Sequence, residues 1–207
     1  MRRKLGMLCG AAVLAGSQIG GCLQAIPLVP VDVPLTGGLA SFSVQAGSPA
    51  KNTGTTSFDS GGITIGRGNL ELDPSVISVT PVGTGGGKVV GTALQGTGAI
   101  EDCQTACAAA GLAQADCGKI CQDQTLRVSV WLDSTANAAT VCDTGVQFGP
   151  FEVTLVDNVP TAVSPNAVNL QPGLALLNSG EFSICIEVIS PIAGTVAIGG
   201  ITFNVGL

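Results

Sequence analysis

From Leu39 onward the chain alternates apolar and polar residues in short runs, and the runs are broken by Gly, Asn, Asp and Pro. LASFSVQA sets Phe42 and Val44 on one face, GITIGRGNLELD offers two brief strands, and VISVTP and GKVVGTAL follow. TLRVSVWLD places Leu126, Val128, Val130 and Leu132 on one side and Arg127, Ser129, Trp131 and Asp133 on the other, so one face is core and the other is wet or covered. FEVTLVD, EFSICIEV and GTVAIGGITFNVG repeat the pattern, with Gly199-Gly200 as a hairpin turn or a bulge. The number and spacing of these runs predict a mainly β fold, an antiparallel β-sandwich.

One stretch breaks the period. In EDCQTACAAAGLAQADCGKICQD, residues 101 to 123, Cys103 and Cys107 lie four apart, as do Cys117 and Cys121, so each pair shares one helix face. The alanines from Ala106 to Ala110 favour helix and Gly111 is a natural stop. Two short antiparallel helices with cysteines in register predict disulfides Cys103 to Cys121 and Cys107 to Cys117. This C-x3-C, nine residues, C-x3-C arrangement resembles the stapled helical hairpin of the α-hairpinins and of the twin C-x3-C mitochondrial chaperones. The likeness covers about 20 residues and implies a scaffold, not a shared substrate. A zinc site would need four reduced thiolates, and a redox site would use C-x-x-C, which the segment lacks. The cysteines are read as an inserted disulfide-stapled α-helical hairpin.

The N-terminus changes the picture from fold to location. Arg2, Arg3 and Lys4 precede an apolar run from Leu5 to Gly16 that is too short to span a bilayer, the pattern of a secretory signal over residues 1 to 21. Ile19-Gly20-Gly21-Cys22 resembles the lipobox of bacterial lipoproteins, which implies lipidation of Cys22, and Leu23 after it resembles lipoproteins sorted to the outer membrane. Cysteine parity agrees with that resemblance. Of eight cysteines, Cys9 leaves with the signal and Cys22 takes the lipid, so Cys103, Cys107, Cys117, Cys121, Cys142 and Cys185 remain as an even set. Cleavage after Ala15-Gly16-Ser17 would strand a seventh thiol. The third bridge is then Cys142 to Cys185. Because Cys185 lies opposite Phe182, Ile184, Ile186 and Val188, that bridge should pin a loop across the outside of a sheet. Residues 22 to 38, with Pro27, Pro30 and Pro34, are expected to form an extended tether, followed by one domain from 39 to 207.

Composition narrows the chemistry. After the signal, five basic residues face all fourteen acidic ones, a formal charge of −9, which argues against nucleic acid as a partner. The chain has no histidine, which removes Ser-His-Asp and Cys-His catalysis. Asp59 and Asp143 each begin a D-[ST]-G tripeptide resembling that of aspartic proteases, but the chain lacks the two large lobes those enzymes need, and D-[ST]-G is also ordinary turn chemistry. Asp133, Asn137, Asp143 and Asp157 are weak calcium candidates, and solvated loop acids are the plainer reading. Trp131, on a polar face, is a candidate contact for a sugar ring or other small ligand, or else is covered by the hairpin. No motif requires a metal or cofactor. The expected role is a non-enzymatic structural or protein-interaction module, held to the envelope membrane by its lipid and acting on a protein partner. A ligand-binding module around Trp131 and a carboxylate hydrolase are the alternatives.

Overall fold

The computed structural model describes residues 27–81, 104, 107, 108, 111, 113–156 and 158–207. Their strands are β1 (Val29–Pro34), β2 (Ser41–Val44), β3 (Pro49–Ser57), β4 (Arg67–Glu71), β5 (Ile77–Pro81), β6 (Gln124–Asp133), β7 (Val146–Val156), β8 (Val159–Ser164), β9 (Ala167–Asn169), β10 (Glu181–Ile189), β11 (Gly194–Ile198) and β12 (Gly200–Gly206). They form three antiparallel sheets, ordered β1-β12-β4-β9, β2-β11-β5 and β3-β10-β6-β7-β8. The chain is mainly β, as the alternating runs predict.

The five-stranded sheet shows how the pattern becomes packing. Leu126, Val128, Val130 and Leu132 of β6 are all buried, beside Phe182, Ile184, Ile186 and Val188 of β10. On β7, Phe148 and Phe151 are three apart, so a regular strand would turn one of them outward. The register shifts between the Val128–Phe151 and Val130–Phe148 pairs, and Gly149 takes a φ of 97° there. This bulge returns both rings to the core. β3, PAKNTGTTS, has no apolar alternation, and its place follows from nine paired positions along β10.

The other two sheets are joined end to end. β11 and β12 are separated by Gly199 alone, yet β11 pairs with β2 and β5 while β12 pairs with β1 and β4. Gly199-Gly200 is therefore not a hairpin turn. It is a bend at which one continuous strand passes from the centre of one sheet to the centre of the next. Backbone bonds hold the bend on both sides: the Leu35 N–H donates to the Gly199 carbonyl at 3.0 Å, and the Gly199 N–H donates to the Val76 carbonyl at 2.7 Å. Phe203 of β12 meets Phe58 and Phe182 edge-to-face, at 5.6 and 6.1 Å between ring centroids, so this strand packs against β10 across the core.

The tether reading of residues 22 to 38 needs correction. Residues 29–34 form β1, paired along its length with β12, so positions 29–34 of the expected tether are sheet, and a 3-10 turn, Gly37–Leu39, follows them. Pro30 and Pro34 fit because an edge strand leaves one row of backbone groups unpaired, and a missing N–H costs nothing in that row. Of the expected hairpin, the described residues contain the helix Gln114–Ile120 and helical positions at 104, 107 and 108. The rest of its first arm lies outside the described residues.

Candidate functional site

The outer face of the five-stranded sheet carries several of the residues singled out in the sequence. Cys185 of β10 is fully buried and bonded to Cys142, with a Cα–Cα distance of 5.2 Å. Cys142 belongs to the one-turn helix Val141–Thr144, which lies over β10 and β6, on the side of β10 opposite Phe182 and Ile184. β10 is thus buried on both faces. Gly145 permits the close fit, since a Cβ there would stand 2.5 Å from the Val141 carbonyl oxygen and 3.2 Å from the Trp131 Cβ.

Cys107 and Cys117 are bonded, with a Cα–Cα distance of 5.7 Å. Cys117 and Cys121 lie one turn apart on the helix Gln114–Ile120 and at its C-cap, where the Cys121 N–H donates to the Cys117 carbonyl at 3.0 Å. Cys121 is disulfide-bonded as well. Its expected partner Cys103 lies outside the described residues, as does Cys22. Cys107, Cys117 and Cys121 are buried and continuous with the apolar core, so these three sulfurs face the body of the protein.

Trp131 pairs with Cys185 on one side and Gln147 on the other and is half-buried. The Lys51 ammonium sits 5.7 Å from its ring centroid and 3.4 Å from a Glu187 carboxylate oxygen. The ring therefore already serves as a platform for the chain's own cation.

Asp133 ends β6 and gathers three donors. Its Oδ1 accepts from the Ser134 N–H at 2.7 Å and the Asn137 amide at 2.9 Å, and its Oδ2 accepts from the Thr144 hydroxyl at 2.9 Å. The Asn137 amide is the largest of the influences that hold this carboxyl below its ordinary pKa. Asp133 and Asn137 are brought together as the sequence grouped them, but Asn137 presents its N–H₂ to the carboxylate, whereas a calcium ligand would present its oxygen. Asp143 is exposed in the helix beside Cys142, and Asp157 lies outside the described residues. Among the described residues no group of three or more His, Cys, Asp or Glu side chains is arranged to hold a metal ion. Asp59 accepts the Gly61 N–H at 2.8 Å, an Asx turn, and shares no hydrogen bond with Asp143.

No family model, curated protein or solved structure matches this chain.

One feature of this face was not legible in the sequence. Thr55, Thr56 and Ser57 at the end of β3, Thr135 after β6 and Glu181 at the start of β10 line an open cavity of about 570 Å³. Its hydroxyls come from β3, a strand without an apolar signature. Only the pairing of β3 with β10 brings them beside Glu181.

Proposed function

We propose that this chain is an exported, lipid-anchored interaction module, non-enzymatic, in which a disulfide-clamped two-layer sandwich serves as a rigid mount for a protein contact. The two end-joined sheets make one layer and the five-stranded sheet the other. The helical segment around Cys107, Cys117 and Cys121 is a stapled insert lying on that mount. The reading is carried by one observation: β10, at the heart of the five-stranded sheet, is buried on both faces and pinned by Cys142–Cys185. A covalent clamp of this kind suits an oxidising, exported environment. A rigid surface also loses less conformational entropy when it binds.

The anchor is tested by changing Cys22 to Ser. Wild-type chain should fractionate with membranes and carry an acylated N-terminal cysteine by mass spectrometry, and the variant should be released. A variant that stays in the membrane fraction, or a wild-type Cys22 without lipid, removes the anchor. Partner contact is tested by crosslinking in intact cells.

A small polyhydroxylated ligand is the second reading, and the cavity lined by Thr55, Thr56, Ser57, Thr135 and Glu181 favours it. Its four hydroxyls and one carboxylate are the donors and acceptors that a sugar meets. On this reading the ligand lies beside β3 rather than on Trp131, which is taken up by Lys51. Soaking with a panel of monosaccharides and following backbone NMR shifts at Thr55 and Glu181 distinguishes the two readings.

A further inference from the structure

A second cavity, of about 350 Å³, opens at the bend where β11 becomes β12. Val33, Pro34, Val76 and Ile201 give it an apolar lining, and Asp32 and Asp73 line it as well. Val33 and Ile201 are buried, whereas Val76 keeps more than a third of its surface exposed.

The two carboxylates are only partly engaged. Asp32 Oδ1 accepts from the Thr202 hydroxyl at 2.6 Å and Asp73 Oδ1 accepts from the Ser75 N–H at 2.7 Å. Among the described residues the second oxygen of Asp32 has no hydrogen-bond partner, and Asp73 is held by Ser75 alone, through its backbone N–H and its side chain. Glu71, on the other side of Thr202 from Asp32, adds a third negative charge nearby. None of the three makes an ion pair among the described residues. Lys51 and Arg127 are matched with Glu187 and Glu152 in the five-stranded sheet, and Arg67 stands at the far end of β4, opposite Gly206. Lys119 belongs to the helix Gln114–Ile120.

We propose that this cavity is a docking socket for a lysine or arginine side chain of a protein partner, the aliphatic stem lying on Val33, Pro34, Val76 and Ile201 and the cationic head meeting Asp32 and Asp73. The inference rests on the interaction-module reading and names the chemistry of the partner. Lysine and arginine combine an apolar stem with a charged tip, the same division that the lining shows. Charge complementarity at a cavity edge gives orientation and on-rate, and it weakens with salt.

The probes are capped pentapeptides with a central lysine, arginine or norleucine, and free n-butylamine, titrated into the full-length chain in detergent with backbone NMR detection. The lysine and arginine peptides should shift Val76, Gly199 and Thr202, and should bind at least about tenfold more tightly than the norleucine peptide. Their affinity should fall severalfold between about 20 and about 300 mM salt. Asp32→Asn with Asp73→Asn should abolish the difference. Asn at 73 can still accept from the Ser75 N–H, so that turn is kept. Gly199→Ala is a second variant: its Cβ would stand 3.5 Å from the Val76 carbonyl oxygen, an ordinary contact, and would narrow the cavity without disturbing the bend. The proposal falls if norleucine binds as well as lysine, if neither variant weakens the basic peptides, or if n-butylamine binds as tightly as they do. The last result would make the socket a small-amine site. In intact cells, a crosslinked partner that is captured equally by the Asp32→Asn, Asp73→Asn chain would leave the interaction module standing and overturn the socket. Basic-peptide binding by a chain whose Cys22 carries no lipid would support the socket and remove the anchor.

Discussion

Asp133 and Asp73 do for two turns what no apolar contact can do at the surface, satisfying backbone and side-chain donors that strand ends leave unpaired. Hydrogen bonds from Asn137 to Asp133, and from Ser75 to Asp73, hold both carboxyls below their ordinary pKa. A depressed folded-state pKa means that the unfolded chain takes up the proton first. The stabilisation is therefore complete above the ordinary carboxylate range and is lost as pH falls through it toward the lower folded values. Thermal melts between about pH 7 and pH 2.5 should show a loss of stability beginning near pH 4, with a shallower slope in Asp133→Asn. An unchanged slope would show that Asp133 gives the fold no such support. Ser183 is the opposite case, a buried hydroxyl on the outer face of β10 with no hydrogen-bond partner among the described residues. Ser183→Ala should leave stability unchanged or raise it by about 1 kcal/mol in urea denaturation, because it removes a desolvated group rather than an interaction. The sequence grouped Asp133 with Asn137, Asp143 and Asp157 as calcium candidates; of these, Asp133 and Asn137 meet, and they do so as acceptor and donor of a hydrogen bond. A further donor, Thr144, is eleven residues away and arrives only when its helix folds back over the sheet.

Elements with their own apolar alternation were legible, and those without it were not. β6 and β10 announce both faces, including the outward position of Cys185. β3 and β1 do not, because one is a row of Thr, Ser, Asn and Gly and the other alternates with proline, and in both the strand conformation is fixed by hydrogen bonds to a neighbour. The disulfides set a scale for the elements they hold. Cys142–Cys185 spans 43 positions and Cys107–Cys117 spans 10, so chain-entropy reasoning gives about 4 and about 3 kcal/mol respectively. Paired Cys→Ala variants compared by urea denaturation should therefore rank with the 142–185 pair as the costlier loss. If the 107–117 variant proves the less stable of the two, the cysteine segment supports the core more than its short loop implies.

The sheets are held by what crosses between them, and Phe203 is the centre of that crossing, touching Phe58 and Phe182 from the strand that threads both smaller sheets. Phe203→Ala should cost about 3–5 kcal/mol, read as a lowered urea midpoint. A cost under about 1 kcal/mol would mean that the sheets are joined elsewhere. The antiparallel β class was legible from alternation, but strand order was not, since Gly199 reads locally as a turn and its role depends on partners more than a hundred residues earlier. The same bend governs the order in which the protein can be made. Residues 194–206 supply an inner strand to each of two sheets, and every neighbour of that strand, β1, β2, β4 and β5, leaves the ribosome well before it. Those early strands have no centre to pair with until the end of this span emerges, so the nascent polypeptide cannot lock shut prematurely. A chain terminated before Gly194 should accordingly lack cooperative melting and be degraded quickly by added protease, whereas native-like protection of the truncated chain would show that the early strands settle without it. If the chain is exported as proposed, a late-synthesised keystone would keep it unfolded for passage through a translocation channel without any separate inhibitor.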